Sequence, residues 1–343
     1  MKKRLFAGLL CASMLVMSVT GCGSNAQDAT NETTTTTETD ASADATTEKY
    51  TVGVVQLVQH PALDEATTGF QDALRDKLGD QVEFDVQNAS GDSANCNTIV
   101  NGFVSSDYDL IMANATPALQ AAVSGTTEIP IVGTSVTDYA TALGMSTDEW
   151  TGTTGMNATG VSDLAPLAQQ AEMMKELFPD AKKVGILYCS AEANSKYQAN
   201  VMTEELGKLG YSVDSYTFSD TNDVATVTQT ACADCDAIYI PTDNTAASCA
   251  ELIGGIVVPA GVPVYAGEEG ICKACGVATL TISYYDVGYI AGEMAYEILV
   301  NKADPATMDI KFVEEVKKEY NADIAEALKV EIPSDYVAIE TEE

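Results

Sequence analysis

The sequence predicts an α/β protein of two lobes, each a mostly parallel sheet flanked by helices, with multiple crossovers at a hinge. The first observation is that strand-like and helix-like runs alternate along the chain, which favours parallel sheets covered by helices. The second is that this alternation occurs twice, on either side of a glycine- and threonine-rich passage at residues 144–160. The third is length, because about 295 residues beyond the N-terminal region suffice for two domains.

The alternation places individual elements along the chain. In the first unit the predicted strands and helices are, in order, 50–57, 63–78, 82–87, 95–104, 110–113, 117–123 and 129–136. The second unit continues with 163–178, 183–189, 195–209, 212–218, 224–231, 237–240 and 246–258. We expect a tail with elements at 276–282, 284–300 and 309–313 to return to the first lobe and cross back. The predicted lobes are residues 49–159 with about 283–304, and residues 160–282 with about 305–335.

The N-terminus has the charged, apolar and small-residue order of an export signal. Three basic residues follow Met1, an apolar run covers residues 5–19, and Val-Thr-Gly stands directly before Cys22. That ending resembles a bacterial lipobox, so we expect a signal peptide over residues 1–22, lipidation at Cys22 and a cell-membrane location on the extracellular face. A plain secretory signal with an incidental cysteine is the alternative. Residues 23–48 are almost all small, polar or acidic, which predicts a disordered acidic tether.

The chain carries 51 acidic and 17 basic residues, which gives a formal net charge of -34. This balance argues against nucleic acid and anionic membrane surfaces as partners, because both are bound by clustered Lys and Arg. Contact with the membrane is therefore expected only through the lipid anchor. Beyond the signal the only arginine is Arg75, in a helix-like stretch, so a buried guanidinium clamp for a carboxylate is not expected.

Several short motifs follow the predicted strands in a fixed order. They are residues 55–64, 88–92, 115–120 and 136–138 in the first unit, and 159–163, 192–195 with Gln198, 236–239 and 241–245 in the second. Together they resemble a family of ABC-importer substrate-binding proteins that includes tryptophan- and tyrosine-binding lipoproteins, over residues 50–333. Two passages depart from that pattern. Tyr139 stands where the family has proline, and residues 267–275 carry two acids and a cysteine pair in place of an apolar, glycine-rich segment.

The resemblance implies a type I periplasmic binding protein fold and a receptor without catalytic activity. Such a protein captures a small molecule between its lobes and delivers it to ABC permease subunits. The implied ligand is an amino acid, with aromatic ones as candidates, no cofactor is expected, and the protein is expected to be a monomer. Ligands of open α/β sheets lie beyond the carboxyl ends of the strands, so the binding residues are sought there.

Two strand ends of the first unit offer an anion site. Thr116 and Pro117 suit the start of a helix directly after a strand, and free N–H groups there can hold a carboxylate without arginine. An ordinary capped helix is the alternative. Ser135 and Thr137, at the end of the next strand, could add hydroxyls to the same anion.

The second unit supplies the groups expected to hold the rest of the ligand. Asn194 and Ser195 precede a helix and offer an amide and backbone donors. Asp243 and Asn244 follow a strand, where the acid either meets a ligand ammonium or caps its own helix. Glu268 or Glu269 is the reserve candidate for the amine. The remaining expected ligand-binding residues are Gln56, His60 and Gly160.

Two other classes of function stay open at this point. A secreted enzyme on a doubly wound fold is disfavoured, because His60 is the only histidine and no glycine-flanked serine elbow accompanies it. A ligand-sensing partner of a membrane receptor would share the cleft and would lack a permease.

The cysteines beyond the signal allow more than one interpretation. Two pairs, Cys232–Cys235 and Cys272–Cys275, have C-x-x-C spacing, which invites a shared zinc or iron–sulfur site. The two pairs lie farther apart in the sequence than the two ligand pairs of a zinc ribbon. Local disulfides or free thiols are therefore favoured, and no metal site is predicted.

Overall fold

The computed structural model describes residues 49–146 and 150–340. The predicted signal peptide, the lipidation site Cys22 and the tether lie outside these residues. The described chain forms two sheets flanked by helices, and it passes between them at residues 163–166, 282–283 and 313–316. This confirms the two-lobed α/β fold and the repeated crossing at a hinge.

The first sheet is parallel throughout. Within the described residues its strands are, in spatial order, β11 (Lys311–Phe312), β5 (Ala158–Ser162), β4 (Ile131–Val136), β3 (Leu110–Asn114), β1 (Tyr50–Gln56) and β2 (Val82–Asn88). Its helices are α1 (Pro61–Leu78), α2 (Ser93–Ser105), α3 (Thr116–Gly125), α4 (Tyr139–Ala142) and α11 (Tyr284–Leu299). Strands β3 and β4 are buried along their whole length, as expected for strands covered on both faces.

The second sheet is parallel except for one strand pair. Its described strands are, in spatial order, β13 (Val337–Ala338), β12 (Lys317–Tyr320), β10 (Ala278–Thr281), β9 (Val264–Ala266), β8 (Ala237–Ile240), β6 (Lys183–Cys189) and β7 (Ser212–Phe218). Only β10 and β12 run antiparallel among these strands. The flanking helices are α5 (Leu167–Leu177), α6 (Ala193–Lys208), α7 (Val224–Asp234), α8 (Asn244–Ser248), α9 (Ala250–Ala260), α10 (Glu269–Cys275) and α12 (Ala322–Leu328).

Helix α11 returns to the first lobe and packs against α1 along a seam of glycines. A Cβ atom added at Gly69 would collide with the Tyr285 carbonyl, and one at Gly288 would collide with the Ala66 carbonyl. The absence of side chains at these positions lets the two helix backbones approach closely. This contact fixes the C-terminal part of the chain to lobe 1.

The limits of the lobes differ from the predicted ones in two places. Strand β5, which the predicted boundary at residue 160 divides, pairs with β4 and therefore belongs wholly to the first sheet. Strand β11, predicted in lobe 2, pairs with β5 and extends the first sheet at its edge. Backbone pairing decides both assignments, and such pairing between distant segments leaves no local mark in a sequence.

The described helices are all too short or too polar to span a bilayer. The seven described cysteines are free thiols. Cys232 and Cys235 lie at the end of α7, whereas Cys272 and Cys275 lie in α10. Within residues 49–146 and 150–340, His, Cys, Asp and Glu side chains do not gather in a group of three or more that could hold a metal ion.

Candidate functional site

The loops that follow the strands of the two sheets face each other across a cleft. Side-chain hydrogen bonds join the lobes in this cleft. His60 Nε2 lies 3.3 Å from Asn244 Oδ1, and Gln198 Nε2 donates to Thr137 Oγ1 at 3.3 Å. The lobes are therefore closed on one another.

The cleft contains a small inner cavity of about 10 Å³, which is the space of one water-sized group. Four buried polar atoms on its walls make no hydrogen bond to any described residue: His60 Nδ1, Ser135 Oγ, Asp163 Oδ1 and Asn194 Oδ1. Buried polar atoms are almost always paired, so four around one space suit a polar ligand group. The inner cavity is lined by His60, Leu63, Ser135, Asp163, Asn194, Thr242, Asp243, Asn244, Ala247, Glu268 and Tyr284.

Asp163 is the acid of the inner cavity that keeps an oxygen available. It follows β5 directly, and its Oδ2 accepts a hydrogen bond from the Tyr284 hydroxyl at 2.9 Å. Burial raises the pKa of Asp163 to about 6, although its hydrogen bonds from Tyr284 and Thr137 oppose the shift. Asp163 was absent from the predicted ligand-binding set, even though it ends the motif at residues 159–163 and stands at a strand end. Tyr284, in contrast, gave no signal in the sequence.

Asp243 and Glu268, two candidates for holding the amine, act as helix caps. Asp243 accepts from the backbone N–H of Ala246 at 2.7 Å and of Cys189 at 2.6 Å. Glu268 accepts from the backbone N–H groups of Gly270 and Ile271 at the start of α10. Burial raises the pKa of Glu268 to about 7, and burial together with nearby Glu192 raises the pKa of Asp243. Asp243 therefore caps its own helix, which is one of the two interpretations that the sequence allowed.

Glu192 organises the second-lobe wall of the cleft. Its carboxylate accepts from Asn244 Nδ2 at 2.6 Å, from Thr245 Oγ1 at 2.8 Å and from the Thr245 backbone N–H at 2.9 Å. Asn194 Nδ2 also donates to Glu192, at 3.1 Å, which leaves Asn194 Oδ1 at the inner cavity. The fully buried Ser195 side chain bonds to Asp243 and supports the wall from behind.

Thr116 and Pro117, the residues of the expected anion site, begin helix α3, but Thr116 is not its N-cap. The N-cap residue is Ala115, with φ of 92°, and Thr116 is the first residue of the helix. The hydroxyls of Thr116 and Ser135 are buried and bond to no described group. Ser135 also has a positive φ, 54°. Backbone strain of this kind in residues without glycine's freedom is typical of functional sites.

Besides Thr116 and Ser195, three more of the predicted residues do not line the inner cavity. Gln56 bonds within lobe 1, to Asp64 at 2.7 Å and to the Thr67 hydroxyl at 2.7 Å. Gly160 lies in β5, where a Cβ atom would collide with the Gly133 carbonyl, so its glycine serves strand packing. Thr137 instead accepts a hydrogen bond from Gln198 of the other lobe.

His60 lines the inner cavity and contacts Asn244, which also lines a second space. Burial lowers the pKa of His60, with opposing contributions from Asn244 and the nearby acids, so its imidazole is neutral at pH 7. The second space, here called the outer chamber, has a volume of about 400 Å³ and shares Asn244 with the inner cavity. It is lined by Leu57, Val58, Ser90, Gly91, Asp92, Ser93, Pro117, Cys189, Ala191, Glu192, Ser219, Asp220, Thr221, Asn244, Thr245 and Ser248.

The two lobes, the hinge and the polar cleft define a two-lobed solute-binding protein of the type I periplasmic class. Residues 51–343 match the description "ABC transporter substrate binding protein", and the chain belongs to this family. This confirms the resemblance found in the motifs. A tyrosine-binding protein of Clostridioides difficile strain R20291 is 34% identical over 331 residues, covering 95% of this chain and 91% of that protein. Because the family and these relatives are solute-binding proteins, the chain is not an enzyme.

The arrangement of the lobes can be compared with that in two solved structures. A Streptococcus pneumoniae protein in complex with L-Trp is 32% identical, with a TM-score of 0.79 over 84% of this chain and 97% of that one. A ligand-free, open substrate-binding protein from Clostridium difficile is 34% identical, with a TM-score of 0.65 over 85% of this chain and 100% of that one. The greater similarity to the ligand complex agrees with the direct contacts between the lobes.

Proposed function

We propose that this substrate-binding protein captures a free α-amino acid between its lobes and delivers it to the permease of an ABC importer. The observation that supports this best is the group of buried, unpaired polar atoms around the inner cavity. The cavity admits one group the size of an ammonium ion. Relatives bind tyrosine or were solved with L-Trp, which agrees with an amino-acid ligand.

The ammonium group of the ligand binds in the inner cavity, to Asp163 Oδ1 and Asn194 Oδ1. Both atoms are acceptors, and an ionised carboxylate forms the stronger, charge-assisted bond. An ammonium replaces the lost hydration of Asp163 and so favours its ionised form. Asp163 thus takes the role for which Asp243 and Glu268 were candidates, because the oxygens of those two acids accept from helix N–H groups.

The carboxylate of the ligand binds at the N-terminus of α3. The first-turn N–H groups of a helix have no carbonyl partner within the helix, and the helix dipole adds positive potential there. Thr116 and Ser135 offer buried hydroxyls in the same region. This arrangement provides for a carboxylate in a cleft whose walls carry no Lys or Arg among the described residues.

A calorimetric titration with the twenty amino acids tests this function. A bound amino acid at 100 times its Kd should also stabilise the protein by about 2.7 kcal/mol in a thermal scan. Thr116→Val keeps the shape of the side chain and removes the hydroxyl, so it should weaken binding by about fivefold. An unchanged melting temperature with every amino acid would refute the proposed ligand class.

The protein acts at the cell surface, held on the extracellular face by lipid at Cys22 and by the acidic tether of residues 23–48. The charged, apolar and small-residue order before Cys22 supports this. Labelling of cells with a fatty-acid probe should mark the wild-type protein and spare Cys22→Ala. A secreted, unlabelled wild-type protein would instead show a plain export signal.

A further inference from the structure

The hydrogen bonds of Glu192 fix which way the side-chain amide of Asn244 is turned. One Glu192 oxygen accepts from the backbone N–H of Asn244 at 3.1 Å, and the other accepts from the backbone N–H of Thr245 at 2.9 Å, so the carboxylate acts only as an acceptor. The Asn244 side-chain atom that lies 2.6 Å from this carboxylate is therefore the donor, Nδ2. The other atom of the amide, Oδ1, is an acceptor and contacts His60.

This orientation in turn fixes the tautomer of His60. Asn244 Oδ1 carries no proton, so His60 Nε2, 3.3 Å away, has to donate one to form the contact between the lobes. Burial lowers the pKa of His60 and keeps the imidazole neutral, and a neutral imidazole has a single N–H. His60 Nδ1 is consequently left with a lone pair. It is buried at the inner cavity and bonds to no described group.

Asn194 and Asp163 present acceptors of equally fixed polarity to the same cavity. Asn194 Nδ2 donates to Glu192 and to the Thr242 carbonyl, each at 3.1 Å, so the amide atom that stays unpaired is the acceptor Oδ1. Asp163 Oδ2 accepts from the Tyr284 hydroxyl, and its Oδ1 stays unpaired. Both residues are buried, one in each lobe's contribution to the cavity wall.

Three buried acceptors therefore surround a space of about 10 Å³: His60 Nδ1, Asp163 Oδ1 and Asn194 Oδ1. A primary ammonium carries three N–H donors on one nitrogen and matches this set. We propose that the inner cavity is a site for a primary ammonium group, and that His60 Nδ1, as the third acceptor, determines selection against N-alkylated amino acids. The inference rests on the proposed function and deepens it, because it names primary amino acids as the substrate class.

An N-methyl group has two unfavourable consequences in this cavity. It replaces one N–H, so a buried acceptor is left unpaired, and sites of this kind discriminate strongly against analogues that lack the donor. It also adds a carbon atom to a space that holds a single water-sized group. The secondary ammonium of proline has the same two defects.

The tautomer can be observed directly, because His60 is the only histidine of the chain. The protein, labelled with ¹⁵N-histidine and purified without a histidine tag, should give one pair of imidazole nitrogen signals at pH 7.5. The proton should be on Nε2, and the unprotonated Nδ1 signal should shift when a bound amino acid donates a hydrogen bond to it. A proton on Nδ1, with or without the amino acid, would overturn the assignment.

Calorimetry with matched ligands measures the selectivity. Each amino acid that binds is compared with its own N-methyl derivative, for example L-tyrosine with N-methyl-L-tyrosine. The derivative should bind about 10- to 100-fold more weakly, because one hydrogen bond to a charged group is lost. L-proline should give no detectable binding.

Two substitutions separate the acceptor of His60 from its contact with Asn244. The amide nitrogen of glutamine stands as many bonds from Cβ as Nε2 does, so His60→Gln keeps a donor for Asn244 and loses the acceptor. The amide oxygen of asparagine stands as many bonds from Cβ as Nδ1 does, so His60→Asn keeps an acceptor and loses the contact. The ratio of parent to N-methyl affinity should fall by about tenfold in His60→Gln and persist in His60→Asn, even where both variants bind more weakly. If His60 served only lobe closure, both ligands would weaken alike and the ratio would not change.

The outcomes separate this proposal from the function on which it rests. If amino acids bind but their N-methyl derivatives bind within about threefold, or if L-proline binds, the site for a primary ammonium is wrong and amino-acid capture stands. If the ratio persists in His60→Gln, or is lost in both variants, the role of His60 Nδ1 is wrong. If no amino acid binds at all, the proposed function fails, and this inference fails with it.

Discussion

Replacing Asp163 by asparagine should change stability and ligand binding in opposite directions. The ordinary pKa of the carboxyl is 3.8, and burial raises it to about 6 in the folded protein. Each pKa unit corresponds to about 1.4 kcal/mol, so the buried carboxylate costs the ligand-free protein about 3 kcal/mol at pH 7.5. An asparagine side chain at this position would be neutral and could still accept the hydrogen bond from Tyr284. Asp163→Asn should therefore raise the free energy of unfolding by up to about 3 kcal/mol at pH 7.5.

The sign of the pH dependence follows from the raised pKa. Between pH 3.8 and 6 the folded protein binds a proton at Asp163 that the unfolded chain does not, so the cost is relieved as the pH falls. The free energy of unfolding of Asp163→Asn should thus exceed that of the wild type by less than about 1 kcal/mol at pH 4. Urea unfolding at both pH values measures this difference, with the exposed Asp180→Asn as the control.

Ligand binding should respond in the other direction. Loss of a charge-assisted hydrogen bond to the ammonium costs about 1.5–3 kcal/mol, or roughly 10- to 100-fold in Kd by calorimetry at pH 7.5. The wild-type affinity should also weaken below pH 6, as Asp163 takes up a proton, and this pH dependence should be smaller in the variant, which keeps Asp243 and Glu268 as acids of the inner cavity with raised pKa. A variant that is less stable at pH 7.5, or that binds its amino acid as tightly as the wild type, would refute this account of Asp163.

Three further predictions concern the scaffold of the cleft. Gly288→Ala should destabilise the protein by about 1–3 kcal/mol in urea, because its Cβ atom meets the backbone of α1, whereas Gly102→Ala, which has open space, should stabilise by about 0.5–1 kcal/mol. If both substitutions changed the free energy of unfolding by the same amount, helices α1 and α11 would be able to move apart around the added Cβ atom. Glu192→Gln should cost about 2–4 kcal/mol, since an amide cannot accept all the donors of its wall, and the exposed Glu204→Gln should have little effect. Thr137→Val removes a hydrogen bond between the lobes, so small-angle scattering should show a more open ligand-free protein, and an unchanged radius of gyration would contradict that role.

Much of the fold could be predicted from the sequence, because buried strands have a recognisable sequence pattern. The predicted strands at residues 183–189, 212–218 and 237–240 have the same limits in the structure. Strand β5 was missed, because its small residues and Gly160 gave it the composition of a crossover. The return of α11 was expected from its position after the second unit, and the structure adds the glycine seam that accommodates it.

The sequence by itself determined that polar residues would follow the strands and that the cleft would lack a basic clamp. It also carried the motifs of the family. Only the tertiary structure decided which polar atoms stay unpaired, because that depends on where each helix begins. The carboxylate oxygens of Asp243 and Glu268 accept hydrogen bonds from helix N–H groups, whereas one oxygen of Asp163 stays unpaired. The contact between His60 and Asn244, which connects the two lobes, joins residues 184 positions apart, and no local pattern records such a distance.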